Sequence, residues 1–254
     1  MAFGTIVGVI LLFLVAPIVV VVATAFGTSP YPVFPPSGFT LKWFEKVLTT
    51  RDMLDAARLS ALLGACTAVL ATTIGTLSAL ALVRFRIRAR PLVSSLLLSP
   101  IIFPAIVLGL ALLVFYHRVG LAATFSGLVA AHVLLTTPFV LRLVMASLAE
   151  FDPTIEEAAR NLGAGVLRTF LRVTLPLIRP GVIAGALFAF ILSFDELVVT
   201  LFLAGPGRQT LPIRIFTYVE YSSDPSISAI STMLIVLWFV VGVPVYLRYL
   251  TVKH

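Results

Sequence analysis

Two neighbouring acids, Asp195 and Glu196, follow an uncharged stretch that begins at Gly181. Counted as helical rise from Gly181, Asp195 lies about 21 Å into that segment. An acid at the centre of a spanning helix costs about 2.5–3.5 kcal/mol on insertion scales. Intramembrane acids are therefore functional candidates by default, because a carboxylate offsets part of the hydration that a passing cation loses. On one helix the two side chains point about 100° apart, so one can face a cavity and the other a neighbouring helix. Ser193 completes the constellation Ser193-Phe194-Asp195-Glu196. The structural alternative is that the acids reach the outer interface, or cap the short segment beyond.

A second constellation occupies a polar segment of about 35 residues between two apolar runs. It holds Arg142, Arg160, Arg168, Arg172 and Arg179. Such a segment cannot lie in lipid, and basic residues stay on the cytoplasmic side. Within it stand Glu156, Glu157, Ala158, Ala159, Gly163, Val173, Leu175 and Pro176. Asp152-Pro153 reads as a cap and first-turn proline for a short helix over 154–162. Gly163 supplies the left-handed stop. Val166, Leu167, Phe170, Leu171 and Val173 mix with Arg168 and Arg172 as a second amphipathic helix, and Pro176 and Pro180 punctuate the return to the membrane. A short capped helix beside an amphipathic arm suits the transmission of a push from a partner. The alternative, an ordinary linker, needs no such spacing.

Other chemistry is missing. The chain contains no Gly-Lys pair, so it has no P-loop of its own. His117, His132 and His254 lack metal-ligand spacing. His132 reads as a hydrogen bonder between helices rather than a proton relay. Cys66 is the only cysteine, which rules out an internal disulfide.

These residues are positioned by membrane helices. Of 254 residues 60% are hydrophobic and 11% charged, with mean hydropathy +1.11; soluble domains carry about 25% charged residues. The net charge of +7 reads as membrane orientation, not nucleic-acid binding, because the basic residues lie between apolar runs. Six spans are expected, over 5–26, 59–83, 92–116, 119–141, 181–204 and 227–247. With both termini inside, inner segments hold 11 Lys and Arg and outer segments 7. Arg84, Arg86, Arg88 and Arg90 make the sharpest inner hairpin. Outside, residues 41–54 form an amphipathic patch with Trp43 and Phe44 at the interface. Pro212 opens a short helix, and Asp224-Pro225 caps the last span. Gly181 and Gly185 form a G-x-x-x-G that permits close helix packing.

The spacing from Glu157 to Pro176 resembles the signature loop of ABC importer permeases, E-A-A-x3-G-x9-I-x-L-P, with Val173 for Ile. The resemblance extends over residues 5–250, through Phe39-Thr-Leu-Lys-Trp-Phe44, Ser99-Pro-Ile-Ile-Phe-Pro104, Phe190-Ile-Leu-Ser-Phe-Asp-Glu196, Ala204-Gly-Pro206 and Thr210-Leu-Pro-Ile-Arg214. The chain looks like the smaller permease of spermidine/putrescine ABC importers. This implies an all-α, six-helix type I permease fold, with 1–254 one transmembrane domain and 150–180 its cytoplasmic coupling loop. It implies a bacterial inner-membrane subunit with both termini cytoplasmic. The implied partners are a second permease, two cytoplasmic ATPase subunits carrying ATP and Mg, and a periplasmic substrate-binding protein. The chain itself is expected to hold no cofactor or metal and to be no enzyme. Glu156, Glu157, Ala158, Ala159, Gly163, Leu175 and Pro176 would then couple to the ATPase, and Ser193, Asp195 and Glu196 would line the path of a polyamine. Importers of other amino-acid-derived compounds share this pattern. An ion-coupled secondary transporter or a membrane scaffold is the reading of a different class.

Overall fold

A computed structural model describes residues 2–150, 152–222 and 224–252, with side chains over 3–150, 152–222, 224–240 and 242–244. All regular structure among them is helical. The order is α1 (Ala2–Ala25), α2 (Lys42–Thr49), α3 (Arg51–Arg84), α4 (Arg90–Leu98), a 3₁₀ turn (Ser99–Ile101), α5 (Ala105–Val119) and α6 (Phe125–Ala149). There follow α7 (Thr154–Asn161), α8 (Val166–Thr169), a π-helical segment (Phe170–Thr174), α9 (Leu175–Asp195), α10 (Val198–Leu203), α11 (Leu211–Tyr221) and α12 (Ser226–Val252). Five helical runs are long and apolar enough to cross a membrane, and six if one bent pair counts as a span.

That bent pair corrects the expected span over 92–116. The chain turns through 101° between Arg90–Ile101 and Ala105–Val119. Pro100 and Pro104 remove two helical N–H donors and crowd the preceding turn, and Pro104 adopts an extended ψ of 134°. The fourth span is shifted from 119–141 to Phe125–Ala149. Its start is set by Thr124, whose Oγ1 accepts the Gly127 N–H at 3.0 Å. Hydropathy marks where a helix meets lipid, whereas caps mark where it ends.

The residues group into two compact units, 1–56 with 214–254, and 57–213. In the first, Thr24 of α1 donates to Ser228 of α12 at 3.0 Å. Trp43 is buried and donates its Nε1–H to the Gly27 carbonyl at 2.8 Å. Phe26 stacks on Phe39 with ring centroids 5.3 Å apart. Lys46 and Tyr218 both reach Asp224 Oδ2, at 2.6 and 2.8 Å. Asp224 Oδ1 caps α12 by accepting the Ser226 N–H at 2.9 Å, as the sequence predicts. Burial pushes the Asp224 carboxyl up. The hydrogen bonds from Lys46, Ser226 and Tyr218 outweigh it and hold the group down at about 2.

The second unit is built on α6 against α9. Val140, Leu141, Val144 and Leu148 bury against Ile178 and Ala189, with Ala71, Ala79 and Leu82 of α3 beside them. Gly181 and Gly185 make the closest approach. A Cβ on Gly181 would lie 2.8 Å from the Leu143 carbonyl oxygen, and one on Gly185 3.1 Å from a Val140 methyl. The expected G-x-x-x-G is therefore a real helix contact. A second cluster, Leu63, Tyr116, Leu128, Val199 and Leu203, packs α3, α5, α6 and α10 together.

Candidate functional site

The polar segment after α6 forms the short helix α7. Asp152 Oδ1 accepts the Thr154 N–H at 2.9 Å, so this acid caps the helix one residue ahead of Pro153. That bond holds the Asp152 carboxyl below the usual carboxylate range. Gly163 stops the helix at φ +85°, a conformation that side chains disfavour.

The two glutamates of α7 face opposite ways. Glu157 and Ala158 are exposed, whereas Glu156 is buried and Ala159 half-buried. Glu156 Oε2 lies 3.1 Å from Arg84 Nε at the end of α3. Its Oε1 accepts the Thr174 hydroxyl at 2.6 Å. Beyond Gly163, apolar side chains stand in the open: Leu162 is 89% exposed, Val166 71% and Leu167 70%. With Arg168, Leu171 and Arg172, Val166 and Leu167 line a shallow groove of about 550 Å³. Together these side chains make an exposed apolar patch beside the exposed face of α7.

The return to the membrane departs from expectation. Pro176 and Pro180 do not break the chain; Val166–Asp195 is one helical run of 30 residues. The strain is absorbed ahead of Pro176. Over Phe170–Thr174 the helix widens to π geometry, and the Leu175 N–H bonds to the Phe170 carbonyl five residues back. Pro176 lacks an N–H and crowds the carbonyl four residues before it, so a widened turn accommodates it. Leu175 is half-buried and Pro176 exposed.

The acids are also placed differently from the sequence expectation. Asp195 is the last residue of α9, not the middle of a span, and its side chain is exposed. Glu196 does not continue the helix; its backbone is extended, with ψ 115°. The two are thus not neighbours 100° apart on one helix. Glu196 Oε1 accepts the Val199 N–H at 2.9 Å and so opens α10. This is the capping alternative, realised for Glu196 alone.

Ser193 is buried and turns to α6, where its Oγ lies 2.8 Å from His132 Nδ1. His132 Nε2 lies 3.0 Å from Thr200 Oγ1. The Thr200 hydroxyl donates to the Glu196 carbonyl at 2.9 Å. Its single hydrogen is thereby committed, so His132 donates from Nε2 and accepts the Ser193 O–H at Nδ1. His132 thus clips both sides of the break after Asp195 to α6. Sequence reading placed His132 as a helix-contact hydrogen bonder, which it is, but gave no sign of its partners 61 and 68 residues away. Arg84 and Thr174 were missed as members of the α7 site. Arg84 was legible only as one of four hairpin arginines.

Comparison with known proteins matches this architecture. Residues 71–251 match the family model described as binding-protein-dependent transport system inner membrane component. The spermidine/putrescine transport system permease protein PotC of Escherichia coli K12 is 35% identical over 225 residues, 89% of this chain and 85% of that protein. The putrescine transport system permease protein PotI of the same organism is 37% identical over 237 residues, 91% of this chain and 84% of that protein. Among solved structures, a bacterial ABC transporter involved in import of the acidic polysaccharide alginate has the same fold, with TM-score 0.71 at 16% identity over 99% of this chain and 94% of that one. With only helices and five or six candidate spans among its described residues, and matched over most of its length, this chain belongs to the family of binding-protein-dependent transport system inner membrane components and is a membrane permease subunit.

Proposed function

We propose that this chain is the permease of an ATP-driven ABC importer of polyamines, spermidine and putrescine, or of closely related small organic amines. The observation that carries this is its identity of 35% and 37%, over 89% and 91% of its length, to permeases named for those substrates. Transport proceeds by alternating access. ATP and Mg belong to two cytoplasmic ATPase subunits. The exposed face of α7, with Glu157 and Ala158, and the open side chains Leu162, Val166 and Leu167 form the surface they press on. A second permease supplies the matching surface for the second ATPase, and a periplasmic binding protein delivers the cargo. The chain lies in a bacterial inner membrane with both termini in the cytoplasm, as the excess of basic residues on that side supports.

Asp195 is the proposed cation contact. Its carboxylate is exposed at the end of an apolar helix, open to a passing ammonium group, whose lost hydration a fixed negative charge offsets in part. Glu196 is the secondary candidate, since one of its oxygens already braces α10. Ser193 supports the path indirectly through His132.

The test is uptake of radiolabelled spermidine and putrescine into proteoliposomes holding the full complex. Uptake is expected to require internal ATP, the ATPase subunits and the binding protein. Uptake driven by an ion gradient in their absence would overturn the proposal in favour of a secondary transporter.

A further inference from the structure

The covalent connection from α7 to α9 is soft. It runs through Gly163, Ala164 and Gly165, then the four-residue α8, then the π segment Phe170–Thr174. Glycines hold a backbone loosely, and a π turn is a place where a helix yields. A push on α7 carried by this route alone would be spent on bending it.

Glu156 bypasses that route. Its buried carboxylate bonds to Thr174, the residue that joins the π segment to α9, and pairs with Arg84, the last residue of α3. A carboxylate this buried is tolerated only with its charge and lone pairs satisfied, so the three groups hold one another in a fixed geometry. The Thr174–Glu156 hydrogen bond, at 2.6 Å, is charge-assisted, short and directional and resists the sliding that an apolar contact allows, while Arg84 sets the opposite charge 3.1 Å away.

We infer, resting on the importer reading above, that Arg84, Glu156 and Thr174 form a latch that transmits displacement of α7 directly to α3 and α9. The two helices then move as one body. A Cβ on Gly64 of α3 would come within 3.0 Å of the Phe190 ring on α9, so their surfaces interlock. From Thr174 the 21 residues of α9 lead about 32 Å along the axis to Asp195. Glu157 is the part of α7 a partner touches. Glu156 is a positioning residue that makes the touch felt at the other end of α9.

The experiment uses the full complex in proteoliposomes, in a Cys66→Ala background carrying Asp195→Cys. The rate of maleimide labelling at position 195 is compared with and without Mg-ATP and vanadate. This reads movement at the far end of α9 and needs no cargo. ATP hydrolysis and complex assembly are measured alongside.

In the parent, trapping the ATPases is expected to change the labelling rate. Glu156→Gln keeps the shape and loses the charge. It should shrink that change, per assembled complex, about fivefold, in the range by which residues along a coupling network alter coupling. The exchange Arg84→Glu with Glu156→Arg should restore at least half of the response. A merely structural pair would lower assembly and hydrolysis together and leave the response per assembled complex unchanged.

If Glu156→Gln and Thr174→Val both keep the parental response, the latch is overturned. If Glu156→Gln fails to assemble, Thr174→Val decides alone, and an unchanged response again overturns it. Failure of the substrate reading looks different: the response to ATP is present and Glu156-dependent, but the complex with native Asp195 takes up neither spermidine nor putrescine.

Discussion

His132 on α6 accepts the Ser193 hydroxyl at 2.8 Å and donates to Thr200 at 3.0 Å, so one imidazole spans the break between α9 and α10. His132 is wholly buried, and Ser193 is nearly so. Replacing His132 with Leu leaves the Ser193 hydroxyl without its partner in an apolar setting. The expected cost is about 1–3 kcal/mol, read as a lower melting temperature of the solubilised complex. Ser193→Ala removes only one bond and should cost about 0.6 kcal/mol, as interhelical hydrogen bonds in membranes do. Equal, negligible shifts for both would show that the imidazole does not hold the break.

Gly163 ends α7 at φ +85° with open space around it. Gly163→Asp is therefore strained by backbone conformation and not by a clash. The chain should still insert, but α7 should dock its ATPase poorly and uptake should fall at least about fivefold (about 1 kcal/mol). Glu157→Lys reverses an exposed charge and should impair docking without lowering thermal stability. Normal ATP-dependent uptake by both variants would remove the coupling assignment.

The two adjacent acids should separate experimentally. Asp195→Asn removes an exposed charge at the helix end and should raise the KM for spermidine about tenfold, the loss of about 1.4 kcal/mol. Glu196→Gln keeps an oxygen to accept the Val199 N–H and should have the smaller effect on KM. Neither should change basal ATP hydrolysis. Unchanged uptake in the single and double variants, across subsaturating concentrations, would make both acids structural.

Gly181 and Gly185 differ in what a methyl group would meet. At Gly181 it meets the Ser147 side chain first and also the Leu143 backbone carbonyl, which cannot move aside. At Gly185 it comes closest to a Val140 side-chain methyl. Gly181→Ala should cost about 1–3 kcal/mol by overpacking α6 against α9, and Gly185→Ala less. The order of the two melting temperatures checks this.

Asp224 has its carboxyl held at about 2, below its ordinary 3.8. The folded state thus favours the charged form. The stabilisation is complete above pH 3.8 and is lost as pH falls through about 2. Lys46, raised above 10.5 chiefly by its bond to Asp224, contributes below 10.5 and loses that contribution as pH rises through its folded value. Because Lys46 is half exposed, the pair should be worth less than about 1 kcal/mol. The difference in melting temperature between parent and Asp224→Asn should be flat from pH 5 to 9 and shrink with added salt.

Some of this was written locally in the chain. Asp152, Pro153 and Gly163 set the ends of α7 through capping and backbone conformation within a few residues, so the helix was legible over nearly its full length. The same holds for Pro212 in α11 and for Asp224 ahead of α12. Apolar composition fixed the all-α membrane class, because only internally bonded helices satisfy the backbone in a chain of this kind. What hydropathy could not supply was where a helix stops once it leaves lipid. That depends on contacts distant in sequence. The break after Asp195 is held by His132 from another helix. Gly64, Gly181 and Gly185 mattered only once Phe190, Leu143 and Val140 lay against them. The inward turn of Glu156, opposite to Glu157 one residue on, had no local signal. Its direction is chosen by Arg84 and Thr174, 72 and 18 residues away, because a buried carboxylate goes where its charge is matched.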